Sequence, residues 1–154
     1  MSNWYQRIED DLVLIPDFID YYNKELFSAR SDVKLKGKIE LNSSDISTVV
    51  EIRFNQLQDI EAVLEYLNIE LRKIKFKHLK AYTLQYNGAR ALTDRQLEKF
   101  ALGEPEVTDM EVLVNKVALV RNQFLGIIKG LEVKHFQISN LVKMRCAGLD
   151  DATI

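Results

Sequence analysis

Cysteine occurs once in the 154 residues, at Cys146, which excludes an intramolecular disulfide and suits a reducing compartment. The expectation for that thiol is burial as a small apolar group. Two prolines and six glycines leave room for long unbroken helices. No apolar run approaches the ~18 residues needed to span a bilayer. Met1–Trp4 lacks a basic region leading into a hydrophobic run, so no secretory signal is expected and the cytoplasm is the default. There is no Gly-rich phosphate loop. The two histidines, His78 and His135, belong to no cluster of Cys, His and carboxylates at metal-ligand spacing. No nucleophile or base stands out, so the chain is expected to be non-enzymatic, with no cofactor and no metal.

A hydrophobic fraction of 47% against 29% charged residues places the chain among folded proteins rather than disordered ones. Its length fits one domain with a core of its own. The net charge of −2 gives no bulk attraction to nucleic acid, so any such affinity must come from a local patch.

One stretch, Asp45 to Gly88, organises the rest. Val50, Leu57, Ile60, Leu64, Leu67, Leu71 and Ile74 recur at three-four spacing, the seam of a helix roughly 65 Å long at ~1.5 Å per residue. Its charge changes half-way. Glu40 to Glu70 holds seven acids and the single base Arg53, whereas Leu71 to Thr93 holds no acid at all. The bases there are Arg72, Lys73, Lys75, Lys77, Lys80 and Arg90.

Ahead of this helix, Trp4, Tyr5, Ile8 and Leu12 share one helical face. Pro16 opens a second helix carrying Phe18, Ile19, Tyr22, Leu26 and Phe27 inward. Val33–Ile39 alternates apolar and basic residues, the period of an extended arm or short strand whose three lysines on one edge could reach phosphates; the plainer reading is a solvated loop. Asn42, Ser43, Ser44 and Asp45 are candidate N-caps for the long helix, and Asn87-Gly88 a stop. Thr93 with Gln96, and Thr108 with Glu111, match capping boxes for a short helix ending near Gly103 and a long one reaching Ala147.

The last helix has the seam Leu113, Val117, Val120, Phe124, Ile127, Leu131, Ile138 and Leu141, with one turn skipped at Lys134. Val112, Leu119 and Val133 widen the stripe, and Gly126 and Gly130 invite close approach of another backbone. A stripe this wide on so long a helix asks for more than one neighbour. The expectation is an all-α fold in one domain: short N-terminal helices and a basic arm over 1–42, then a long antiparallel hairpin over 43–154. It oligomerises through the C-terminal helix, with the seam and both glycines as the interface.

Within the basic segment, Lys73, Lys77 and Lys80 share a helix face, Arg72 lies beside it and Lys75 points elsewhere. Tyr82 and Tyr86 follow one turn apart. Cations for phosphates and rings for bases are the composition of a single-strand binder. The plainer reading is a solvated face, or one paired with acids of a neighbouring helix.

Leu79-Lys80-Ala81-Tyr82-Thr83-Leu84-Gln85-Tyr86-Asn87-Gly88 resembles a segment of UvsY-type recombination mediators of tailed phages. There a Leu-Lys-Ala-Arg-Leu run leads into a Tyr and a Gly. Phe136-Gln137-Ile138-Ser139-Asn140 followed by Arg145-Cys146-Ala147-Gly148 is similar to that family's ending, so the resemblance covers about residues 70–148. Tyr82 stands where the family carries Arg, so of that basic pair only Lys80 transfers. The resemblance implies a helical, ring-forming homo-oligomer that binds single-stranded DNA in the host cytoplasm. It would help load a recombinase onto strands coated by single-strand binding protein, in recombination and repair. On that reading Arg72, Lys73, Lys75, Lys77, Lys80 and Arg90 contact phosphates and Tyr82 stacks on a base. The alternative is a structural or scaffolding protein that does not bind DNA.

Overall fold

The computed structural model describes residues 4–86 and 92–148; Arg90 and the Asn87-Gly88 stop lie outside them. Five α-helices lie among the described residues: α1 Trp4–Asp10, α2 Ile15–Asp32, α3 Ile39–Tyr86, α4 Asp94–Leu102 and α5 Pro105–Cys146. A 3₁₀ turn, Leu12–Leu14, joins the first two. No strand occurs among the described residues, so the chain is all-α.

The frame is the antiparallel pair α3 and α5, 48 and 42 residues long, or about 72 and 63 Å. Their seams close on one another. Leu57, Ile60, Val63, Leu67 and Leu71 from α3 are buried with Val117, Val120, Phe124, Ile127, Leu131 and Ile138 from α5, and Leu113 and Leu141 are half-buried. The seam expected to join subunits is therefore filled from within one chain. What remains open on α5 is the outer row Val112, Leu119, Gly126 and Val133, repeating every seven residues, with Phe136 beside it.

The α2 helix covers the middle of the pair. Ile15, Phe18, Tyr22, Leu26 and Ala29, spaced by threes and fours, make its buried stripe. Tyr22 meets Phe18 and Phe124 edge to face at centroid distances of 4.8 and 5.7 Å. Phe27, expected inward, is 79% exposed because it lies a third of a turn past Leu26. The first helix lays Trp4 and Ile8 on the core, and Tyr5 crosses to Tyr66 of α3.

Two buried cations fix the end of α2. Arg53, the lone base of α3's acidic half, binds Asp32 at 2.7 Å and Glu25 at 3.1 Å. Lys134 explains the skipped turn of the α5 seam. Its ammonium is buried and donates to the Asp32 carbonyl at 2.8 Å, closing the C-terminus of α2. Charge goes inside here because each ion meets a partner.

Several boundaries differ from expectation. The long helix begins at Ile39, before the proposed caps, because Ile39 and Ile46 are buried and hold its first turns in the core. Asn42 donates back to the Lys36 and Lys38 carbonyls, and the Ser44 hydroxyl to Leu41. Residues 33–38 form an irregular connection, the loop of the plainer reading, in which Val33 and Leu35 face in while Lys34, Lys36 and Lys38 face out. Thr93 and Gln96 do begin α4, the Gln96 carbonyl accepting from the Thr93 amide. Thr108 caps nothing, since α5 already starts at Pro105, whose missing N–H costs nothing in a first turn. Gly148 ends α5 at φ +81°, and Cys146 is exposed rather than buried.

The paired glycines separate. A Cβ at Gly130 would come within 2.8 Å of Val33, a close approach inside the chain, whereas one at Gly126 would meet nothing. Gly130→Ala is expected to destabilise by about 1 kcal/mol, the β-branched Val33 having little freedom to yield, with Val33→Ala restoring the loss. Gly126→Ala should stabilise by about 0.5–1 kcal/mol. Urea midpoints of the three variants check the order.

Candidate nucleic-acid interface

The C-terminal third of α3 carries the predicted cations Arg72, Lys73, Lys75, Lys77 and Lys80; the start of α5 supplies a carboxylate for two of them and α3 itself for two more. Lys75 binds Glu111 of α5 at 2.7 Å, and Lys77 binds Glu106 at 3.1 Å. Lys73 pairs one turn back with Glu70 at 2.6 Å, and Arg72 reaches Glu65 at 3.6 Å. Lys80 is exposed and has no ion-pair partner among the described residues. Lys73, Lys77 and Lys80 all point to solvent, as their spacing requires, whereas Lys75 is half-covered and turned toward α5. So the structure brings three of the predicted residues onto one open face and draws most of their charge toward neighbouring acids.

Glu106 organises this corner. Its carboxylate lies 2.8 Å from His78 Nε2 and also accepts from Lys77, and those hydrogen bonds hold its pKa below the ordinary carboxylate value. Sequence reasoning missed this acid because it sits 28 residues from His78, on another helix. The only signal was the run Glu104, Glu106, Asp109 and Glu111 opening α5, which faces an acid-free segment.

The aromatic pair divides in role. Tyr82 donates to the Glu104 carboxylate, which pushes the Tyr82 phenol pKa up. Its ring is covered by Tyr86 in a near-parallel stack, centroids 6.3 Å apart, and by Phe100 of α4 at 5.9 Å. Tyr82 is therefore a structural tie, and the Tyr86 ring is the more exposed of the two.

Two apolar grooves accompany the helices. One, of about 430 Å³, lies between Ile46 and Val50 of α3 and Leu131 and Phe136 of α5, with His135 at its edge. The other, of about 290 Å³, is formed by Phe76 and Leu79 with Ala101 and Leu102 of α4. Among the described residues, no three His, Cys, Asp or Glu side chains are arranged to hold a metal. Nor is any described helix long and apolar enough to cross a membrane. No family model, curated protein or solved structure matches the chain.

The Glu106 contacts generate a pH dependence. A carboxylate with a depressed folded pKa contributes stability above its unfolded value of about 4.3, and the contribution fades as pH falls through the folded value. The urea midpoint of the native chain should fall between pH 5 and 3, and Glu106→Gln should flatten that limb without altering the far-ultraviolet spectrum.

Proposed function

We propose that the chain is a non-enzymatic, self-assembling helical protein that binds single-stranded DNA and assists recombinase loading. The observation that carries this reading is the open face of Lys73, Lys77 and Lys80, on an acid-free segment that also carries the exposed Tyr86 ring. The likeness of residues 70–148 to UvsY-type mediators supports it. The carboxylates that hold Lys73 and Lys77 do not veto it. Ion pairs between exposed side chains are worth about 0–1 kcal/mol each, which a run of phosphates can exceed. Assembly would multiply a weak patch by avidity. It would run through the outer row of Val112, Leu119, Gly126 and Val133, since the inner seam is occupied.

The second reading is a scaffold indifferent to nucleic acid. It is favoured by the same ion pairs, which leave Lys80 alone among the described stem lysines without a carboxylate.

Changing Lys73, Lys77 and Lys80 together to Gln should weaken binding of a fluorescent oligothymidylate at least tenfold at low salt. The slope of log affinity against log salt should fall by about 2, at ~0.7 per contact. Unchanged affinity and slope would remove this face from the contact, and a native chain that does not bind the oligonucleotide would leave the scaffold reading in place. Separately, Leu119→Glu with Val133→Glu should shift the sedimenting species to monomer with helicity intact. A native chain that already sediments as a monomer would refute the assembly.

A further inference from the structure

The stem lysines are mostly paired; the lysines between α2 and α3 are not. Lys34, Lys36 and Lys38 are exposed and take part in no ion pair among the described residues, and neither does Arg30 in the last turn of α2. The acids nearest in the chain are already engaged. Asp32 is held by Arg53, and Glu40 by Arg145 at 3.0 Å, with Lys38 acting on the Glu40 carboxylate only at longer range. The row is also fixed in place. Val33 packs on Gly130, Leu35 is half-buried, Ile39 is buried, and the Asn42 amide binds the Lys36 and Lys38 carbonyls at 2.7 and 2.9 Å. Gly37, at φ +71°, makes the turn between the last two lysines.

Its course follows from three contacts with α5. Asp32 lies at Lys134, Val33 at Gly130 and Glu40 at Arg145. The lysines thus run beside the last third of α5, over about 22 Å of helix at ~1.5 Å per residue. The opposite end of the hairpin, where the stem lysines meet the α4–α5 corner, is a separate surface.

We infer that Lys34, Lys36 and Lys38 form a second binding track, whose ligand is the phosphate backbone of a single-stranded nucleic acid. A row of cations on a rigid backbone suits a linear polyanion that can lie along it. A membrane surface fits less well, because it needs apolar side chains beside the cations to enter the bilayer. Here Val33, Leu35 and Ile39 are turned into the core. An acidic helix would need apolar anchors for its own stripe, and the row offers none. The inference rests on the reading that the chain binds single strands, and it assigns the contact to a surface distinct from the stem.

The test is titration of fluorescent oligothymidylate between 50 and 200 mM salt. It compares the native chain, the triple change Lys34→Gln, Lys36→Gln and Lys38→Gln, and the stem triple at Lys73, Lys77 and Lys80. Far-ultraviolet spectra confirm that each variant keeps its helices. The expected result is that the connection triple loses about tenfold in affinity at low salt, and its log–log slope falls by about 2. If that triple matches the native chain while the stem triple weakens, the second track is overturned and the stem assignment stands. If the connection triple weakens and the stem triple does not, the track stands and the stem assignment falls. A native chain that binds no oligonucleotide at 50 mM salt, or binds only anionic phosphatidylserine vesicles, overturns both.

Discussion

The closure of α3 on α5 is the constraint to which every other part of the molecule answers. Two helices of this length expose a continuous apolar edge, and burying it along their common run supplies the main driving force for folding. The pair sets a straight frame on which α2 settles across the middle and α4 folds back at one end. It also decides where charge can go. Seam positions admit a cation only where a carbonyl or carboxylate waits, and Arg53 and Lys134 occupy two such places, both at the end of α2.

Those two ions give α2 a defined stopping point, and this in turn sets up the connection that follows. With Asp32 held from both long helices, the chain must leave α2 beside Gly130 and enter α3 beside Arg145. The lysines of the turn are then carried along α5 with their apolar neighbours inward. A similar logic works at the other end, with the opposite electrostatic result. There the acids at the start of α5 come to lie against the acid-free part of α3, and the positive segment is screened by its own chain.

The helices themselves were legible because their period is local. Three-four spacing gave the buried faces of α2, α3 and α5, and Thr93 with Gln96 marked the start of α4 through local chemistry, whereas α5 begins at Pro105, one turn before the expected Thr108. The start of α3 was misread because Asn42, Ser43 and Ser44 are as able to bond back within a helix as to cap one. What fills a seam was not legible at all. An apolar stripe states that it will be covered, but not whether by the same chain or by a copy, and the contacts between the two helices here join residues 28 to 105 positions apart. The pairing of Lys75 with Glu111 and of His78 with Glu106 was hidden for the same reason. Lys134 was visible as an interruption, and its meaning came only with the Asp32 carbonyl above it.

The glutamates that hold the stem lysines act as tethered competitors. A carboxylate fixed on the neighbouring helix meets its ammonium at an effective concentration set by the fold, in the range that short tethers give, and dilution of the protein does not lower it. Any anion arriving from solution at Lys77 must first displace Glu106, and the displaced group takes up water in its place. Part of the exchange thus happens inside the molecule, without release of small ions. The hairpin carries its own competitor, which any anion reaching Lys77 has to outweigh.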